Sequence, residues 1–257
     1  MPSDFRLVVN ENCLARLRCV AATIDTVDIK SWIIDYCEIL DVVRSELSTD
    51  DALPKALPSA WHRAYTRSVS HTPRICEISL DGFDYIFDDP APVTSNEEGG
   101  SDDFVCERIV AVHGRSQPSD GTLRKASRIR GFPRGAAADA SVFDSVRHDR
   151  GHFIAHASGG GMDINLFPQL TDVNRGWSNR GKVYRRMEKY LVVHPGTYFF
   201  SRSIYSGWTD HPYVIEFGLL GADENLWVEL FFNCRCADEM RAIEVTVAER
   251  MRERQRG

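Results

Sequence analysis

The chain has 257 residues, 43% of them hydrophobic and 26% charged, which is globular composition and enough length to bury roughly 70% of the unfolded surface. No apolar run approaches the ~20 residues of a membrane span, and the seven cysteines are scattered with no C-x-x-C pair, so neither a membrane helix, a disulfide framework nor a zinc ribbon is expected. The formal net charge of −6 is unevenly held: −10 over residues 1–110, +8 over 111–202 and −4 over 203–257, a basic middle of the kind that suits a polyanion.

The N-terminus, MPSDFRLVVNENC, lacks the basic-then-apolar layout of a cleaved signal, so a cytoplasmic protein is expected, or one delivered by a specialised secretion system. FRLVVN reads as a short strand. Between Asp25 and Ser48, Ile29, Trp32, Ile33, Tyr36, Ile39, Leu40 and Val43 recur at helical steps, with Thr26 or Asp28 as the cap. Pro54 and Pro58 are expected to interrupt the next stretch. Ile75 to Leu80 and Phe83 to Phe87 form a hairpin around Asp81-Gly82. Residues 88–103 (DDPAPVTSNEEGGSDD) read as a linker or exposed loop, Phe104 to Val112 as a strand and Gly114 to Ala138 as a loop. Tyr213 to Leu220 and Asn225 to Phe232 read as two further strands, and the segment from Ala237 onward as a charged helix.

The informative stretch is Asp149 to Lys189, DRGHFIAHASGGGMDINLFPQLTDVNRGWSNRGKVYRRMEK. A histidine near an arginine, a glycine-rich turn, an Asn/Gln-bearing loop and a helix with one glutamate among cations lie in sequence. Val183, Met187, Tyr190 and Leu191 mark the helix, and Pro195 lies beyond its end. Imidazole accepts protons near neutral pH, Asn and Glu oxygens suit a hard cation, and arginine suits a phosphodiester oxygen. These are parts for phosphodiester hydrolysis. His156, the Gly159-Gly160-Gly161 run, Cys234-x-Cys236, Trp177, Trp208 and Tyr205 read as structural rather than chemical.

The order D-R-G-H, a glycine cluster, Asn165-x-x-Pro168-Gln169, Val173-Asn174-x-Gly176-Trp177 and a helix glutamate resembles the DNA/RNA non-specific endonucleases. The likeness is close over about 40 residues. It implies an α+β fold, a ββα-metal (His-Me finger) nuclease built on a central antiparallel sheet, with an N-terminal α/β extension. The implied domains are an accessory or regulatory region over 1–100 and a nuclease domain over 101–257, with the finger at about 143–191.

Carried over by residue, the resemblance implies His152 as general base and Asn174 as the direct ligand of one Mg²⁺, with Mn²⁺ as a substitute. It implies Glu188 as a catalytic residue holding a metal-bound water, Asn165 as the residue orienting the loop or His152, and Arg150 on the substrate phosphate. Arg175 and Arg185 are counted with Arg150 as substrate contacts. The family places its glutamate about eight residues after the metal asparagine, whereas Asn174 and Glu188 are fourteen apart. Either Asn174 sits ahead of the helix, or Asn179 takes the metal.

The expected substrate is DNA, with RNA left open, and products would carry 5′-phosphates. An unrestrained nuclease would attack its own genome. The implied partners are therefore a protein inhibitor, an activator or a complex subunit, with oligomerisation left open, in a bacterial toxin or an anti-phage defence effector. The alternative is a catalytically silent nucleic-acid-binding or partner-docking protein. The acidic N-terminal region is expected either to cover the basic cleft or to dock the partner.

Overall fold

The computed structural model describes residues 34–46, 49–89, 108–119, 148–161, 163–205 and 211–233. The readings of FRLVVN, of residues 14–33, of the linker beyond residue 89, of the Gly114 to Ala138 loop beyond residue 119 and of the C-terminal helix fall outside them, as do Trp208, Cys234 and Cys236; Gly114 and Arg115, expected to open that loop, are strand residues.

Two helices come first. In α1 (Tyr36–Glu46), Tyr36, Leu40 and Val43 are buried, as their spacing predicts. Its described start is capped by Asp35, whose Oδ1 accepts the N–H groups of Cys37 and Glu38 at 3.0 and 3.1 Å. The prolines do not break the next helix: α2 (Thr49–Ser68) runs through both Pro54 and Pro58. Pro54 has no N–H for the carbonyl of Asp50 four residues back, and Arg115 Nη2 donates to that carbonyl instead, at 3.0 Å. Arg115 Nη1 adds a bond to Asp50 Oδ1 at 2.9 Å. Leu53, Leu57, Trp61 and Ala64 then line a fully buried stripe.

The hairpin forms as expected, β1 (Ile75–Leu80) pairing with β2 (Phe83–Asp88). Asp81 and Gly82 both have positive φ, 54° and 82°, the two left-handed residues of a tight hairpin turn. With β3 (Arg108–Arg115), β6 (Tyr198–Ile204), β7 (Val214–Leu220) and β8 (Leu226–Phe232) they make a six-stranded antiparallel sheet in the order β1-β2-β3-β6-β7-β8. The architecture is mixed α+β. Residue 100, the expected boundary of the nuclease domain, falls between β2 and β3, which are neighbours in this one sheet.

The connection from β3 to β6 carries a second unit: the ribbon β4 (His148–His152) and β5 (Leu166–Leu170), the one-turn α3 (Thr171–Asn174), and α4 (Asn179–Val193). The two units cover opposite faces of the sheet. Tyr198, Phe200, Val214 and Leu230 face α1 and α2, whereas Phe199, Phe217 and Phe231 face the ribbon and α4. All seven residues of β6 and of β7 are consequently buried. No described helix is long and apolar enough to cross a membrane.

One ion pair lies inside the first layer. Arg202 and Glu216, 2% and 1% exposed, pair at 2.8 Å, and Tyr36 donates its hydroxyl to Glu216. Burial, with the Glu216 charge beside it, holds that phenol far above its usual pKa, so it remains a donor. Glu216→Ala would take the Glu216 carboxylate away from the buried Arg202 guanidinium, and urea unfolding should report a loss of about 3–5 kcal/mol. A loss under about 1 kcal/mol would show that the pair is not what joins α1 to the sheet.

Candidate active site

A two-stranded ribbon is marginal alone, and β4–β5 is held by side chains of the large sheet. Asn233, just past β8 and 2% exposed, acts as a surrogate strand residue. Its Oδ1 accepts the Leu170 N–H at 2.7 Å, and its Nδ2 donates to the carbonyls of Pro168 and Pro212 at 2.7 and 3.0 Å. From the centre of the sheet, Ser201 Oγ donates to the Phe153 carbonyl at 2.6 Å, one residue beyond His152. Phe153 and Phe167 stack in the core beneath, with centroids 4.5 Å apart. The sequence reading missed Asn233, because a lone Asn after a strand carries no pattern.

His152 ends β4 opposite Leu166 and is half-buried. The loop after it is fixed by Asn165, which is fully buried. Asn165 Oδ1 accepts the Ile154 N–H at 2.9 Å, and Nδ2 donates to the carbonyls of Ile154 and Gly161, both at 2.8 Å. The loop closes so tightly that a Cβ on Gly160 would lie 2.0 Å from the Ile154 carbonyl oxygen. Within the glycine run, Gly160 is thus a packing requirement. Gly151, inside the D-R-G-H stretch, has a similar reason: a Cβ there would come within 2.3 Å of the buried Gln169 side chain.

The helix reaches the same place. Ser178 caps α4, its Oγ accepting the Gly181 N–H at 2.9 Å. Gly181 packs so closely on α3 that a Cβ would meet the Asp172 carbonyl oxygen at 2.3 Å. One turn later, Tyr184 Oη donates to the backbone carbonyl of His152 at 3.2 Å. Burial and the neighbouring Glu188 charge push this phenol far above its ordinary pKa, so it stays protonated. Glu188 follows by another turn, its side chain 12% exposed, with Oε2 accepting from Arg185 Nη1 at 2.7 Å. Burial raises its carboxyl above the usual glutamate range, against the opposing pull of Arg185.

The fourteen residues between Asn174 and Glu188 have a structural origin. Asn174 ends α3 and is half-buried, and the chain then turns through Gly176 (φ 72°) before α4 begins. Asn179 opens α4 and is exposed. Nine residues of helix place it about 180° around and about 13 Å along the axis from Glu188, so those two cannot share an ion.

The three arginines differ. Arg150 is exposed on β4, opposite Pro168. Arg185 is 59% exposed and pairs with Glu188. Arg175 is held by Asp149 in a two-point contact, Nε to Oδ2 at 2.6 Å and Nη2 to Oδ1 at 2.9 Å. Arg175 also lies 5.0 Å from the Trp177 ring centre. Trp177 is 60% exposed, so the packing role expected for it does not hold, whereas Tyr205 is buried as expected. His156 is fixed to its own turn, with Nδ1 3.2 Å from the Gly160 carbonyl.

No family model matches the sequence, and no curated protein matches it. Among solved structures the chain is similar to the Sda1 nuclease with a bound zinc ion, at 21% identity and a TM-score of 0.30. The likeness covers 34% of this chain and 38% of that one, so the chain spans well under half that nuclease's length.

Two stability measurements test the site. Asn233→Ala leaves one N–H and two carbonyls of the ribbon joint without their partner, which should cost about 3 kcal/mol or more in urea unfolding; a cost under about 1 kcal/mol would remove Asn233 as the clamp. Glu188 has a folded pKa above its unfolded one, so its contribution is most favourable below about pH 4.3 and is lost as pH rises through the folded value. Glu188→Gln should therefore raise Tm at pH 7, with the gain shrinking as pH falls toward 4. A gain that grows on acidification would reverse the assignment.

Proposed function

We propose that the chain is a metal-dependent, non-specific endonuclease of the ββα-metal class, hydrolysing phosphodiester bonds of DNA, with RNA as a second substrate. The observation that carries this is the hydrogen bond from Tyr184 to the His152 carbonyl. It joins the helix bearing a buried glutamate to the strand end bearing the histidine, and the same two elements carry exposed arginines, Arg185 and Arg150.

In this reading His152 takes the proton from the attacking water, and Asn165 keeps the loop behind it from moving. Arg150 contacts the scissile phosphate. Arg185 reaches phosphate only by sharing its charge with Glu188, and Arg175 must leave Asp149 or act through the Trp177 face. Asn174 and Glu188 would hold the ion, Asn174 directly and Glu188 through water. Their oxygens are hard donors, suited to Mg²⁺ that keeps several waters. Among the described residues no three His, Cys, Asp or Glu side chains gather in the way a fully protein-ligated ion requires. A bound divalent ion would offset charge on the phosphorane and the leaving 3′-oxygen. Contacts limited to backbone phosphate give little sequence preference.

Restraint of such an enzyme is part of the proposal: a cytoplasmic effector of anti-phage defence, or a delivered toxin, held by an inhibitor, activator or complex partner. Helices α1 and α2 lie on the sheet face opposite the ribbon, so they do not cover His152. Among the acidic residues outside those helices, Glu97, Glu98, Asp102, Asp103 and Glu107 form the densest cluster in sequence. Deleting residues 1–100 would also remove two strands and the helical layer, so neutralising those five side chains is the cleaner test of autoinhibition. Faster cutting by the neutralised chain supports it, and an unchanged rate removes those five as the shield.

The activity test incubates the purified chain with plasmid DNA or single-stranded RNA, in Mg²⁺ or EDTA. Cutting should require the ion, and His152→Ala should slow it by at least about 10²-fold. Nucleic-acid binding without Mg²⁺-dependent product, before and after neutralising those acidic residues, would favour the silent binding protein instead.

A further inference from the structure

The far side of α4 borders a second concavity, of about 430 Å³, between the C-terminal half of the helix and the β7–β8 turn. That lies within the ~300–1,000 Å³ of small-molecule sites. Val193, Leu219 and the Trp227 ring give it apolar walls, and Arg186, Lys189 and Asp223 are the charged residues of its lining. Arg186 and Tyr190 each lie two residues from Glu188, about 200° around the helix, so the cavity faces away from the His152 site.

The aromatic wall is fixed in advance. The Trp227 indole N–H donates to Glu229 Oε1 at 3.2 Å, and Glu229 Oε2 accepts from Arg180 Nη2 at 2.9 Å. The Arg186 guanidinium carbon sits 5.8 Å from the Trp227 ring centre. Tyr190 Oη accepts the Ala222 N–H at 3.4 Å, tying the turn to the helix. Among the described residues neither Arg186 nor Lys189 enters an ion pair. A flat, anchored ring beside two cations, with the one lining carboxylate, Asp223, engaged by Asn225 Nδ2 at 2.8 Å, matches a ligand with a π-face at one end and an anion at the other. An inorganic anion would leave the apolar walls unused, and a neutral aromatic would leave both cations unused.

We propose that this cavity binds a nucleotide, with the base against Trp227 and the phosphate on Arg186 and Lys189. The same chemistry is offered by a free mononucleotide and by one unit of a single strand. The site is separate from the proposed nuclease centre and stands whether or not that centre cuts.

Isothermal titration of the full chain in EDTA with 5′-AMP, 5′-UMP and adenosine tests it. Saturable binding of a mononucleotide is expected, with adenosine at least about tenfold weaker than 5′-AMP. The Arg186→Gln/Lys189→Gln double variant alters only edge residues and should weaken mononucleotide binding by at least about tenfold, as should Trp227→Leu. His152→Ala should bind as the parent does. A twelve-nucleotide strand that competes more tightly, through the same residues, identifies the source as nucleic acid; a weaker one identifies it as the free nucleotide. Absence of saturable binding, indifference to the double variant, or loss of binding in His152→Ala would each overturn the proposal.

Discussion

A ribbon of two five-residue strands cannot hold its terminal His152 in place by its own hydrogen bonds, and the rest of the site depends on how that deficit is met. Here the large sheet and helix α4 lend polar side chains to the ribbon's backbone. Asn233 completes the pairing of β5, Ser201 holds the carbonyl after His152, and Tyr184 holds the carbonyl of His152 itself. Asn165 fixes the loop from inside. Each bond is modest in net worth, but each partner is a buried backbone group that would be costly to leave alone. Rigidity at His152 is therefore assembled from three directions, and only one of them lies within the ribbon.

Burial sets the electrostatics. Glu188 lies nearly out of solvent beside Tyr184, with one arginine as its partner, and its carboxyl is harder to ionise than an exposed one. That is an unfavourable place for a glutamate kept only for stability, and a reasonable one for a group whose charge is completed by a bound cation. Asp149 and Arg175 show the opposite design: a two-point pair at the surface that orients a guanidinium against the exposed Trp177 ring.

Legibility in the sequence followed physical rules that differed by element. The hairpin at Asp81-Gly82 was readable because both turn residues must take positive φ. Gly151, Gly160 and Asn165 stood out in the sequence as parts of a motif, and the structure gives them packing reasons in the close approaches at the two glycines and the buried amide of Asn165. Helix α2 was not, because Pro54 looks like a break until Arg115, 61 positions later, supplies the missing donor. Strand β6 was not either: with helices on one face and the ribbon on the other, YFFSRSI is buried throughout and shows no alternation. Asn233 and the Arg202–Glu216 pair were invisible because their partners are set only by the assembled sheet.

The central claim is that Asn174, Glu188 and His152 belong to one centre despite the fourteen-residue gap and the break between α3 and α4. Its most direct measurement is anomalous diffraction from a crystal soaked in Mn²⁺. The account predicts one strong peak at first-coordination distance from Asn174 Oδ1, about 2.1 Å, on the side of α4 that carries Glu188. A peak at Asn179, or one remote from Glu188 and His152, would contradict it.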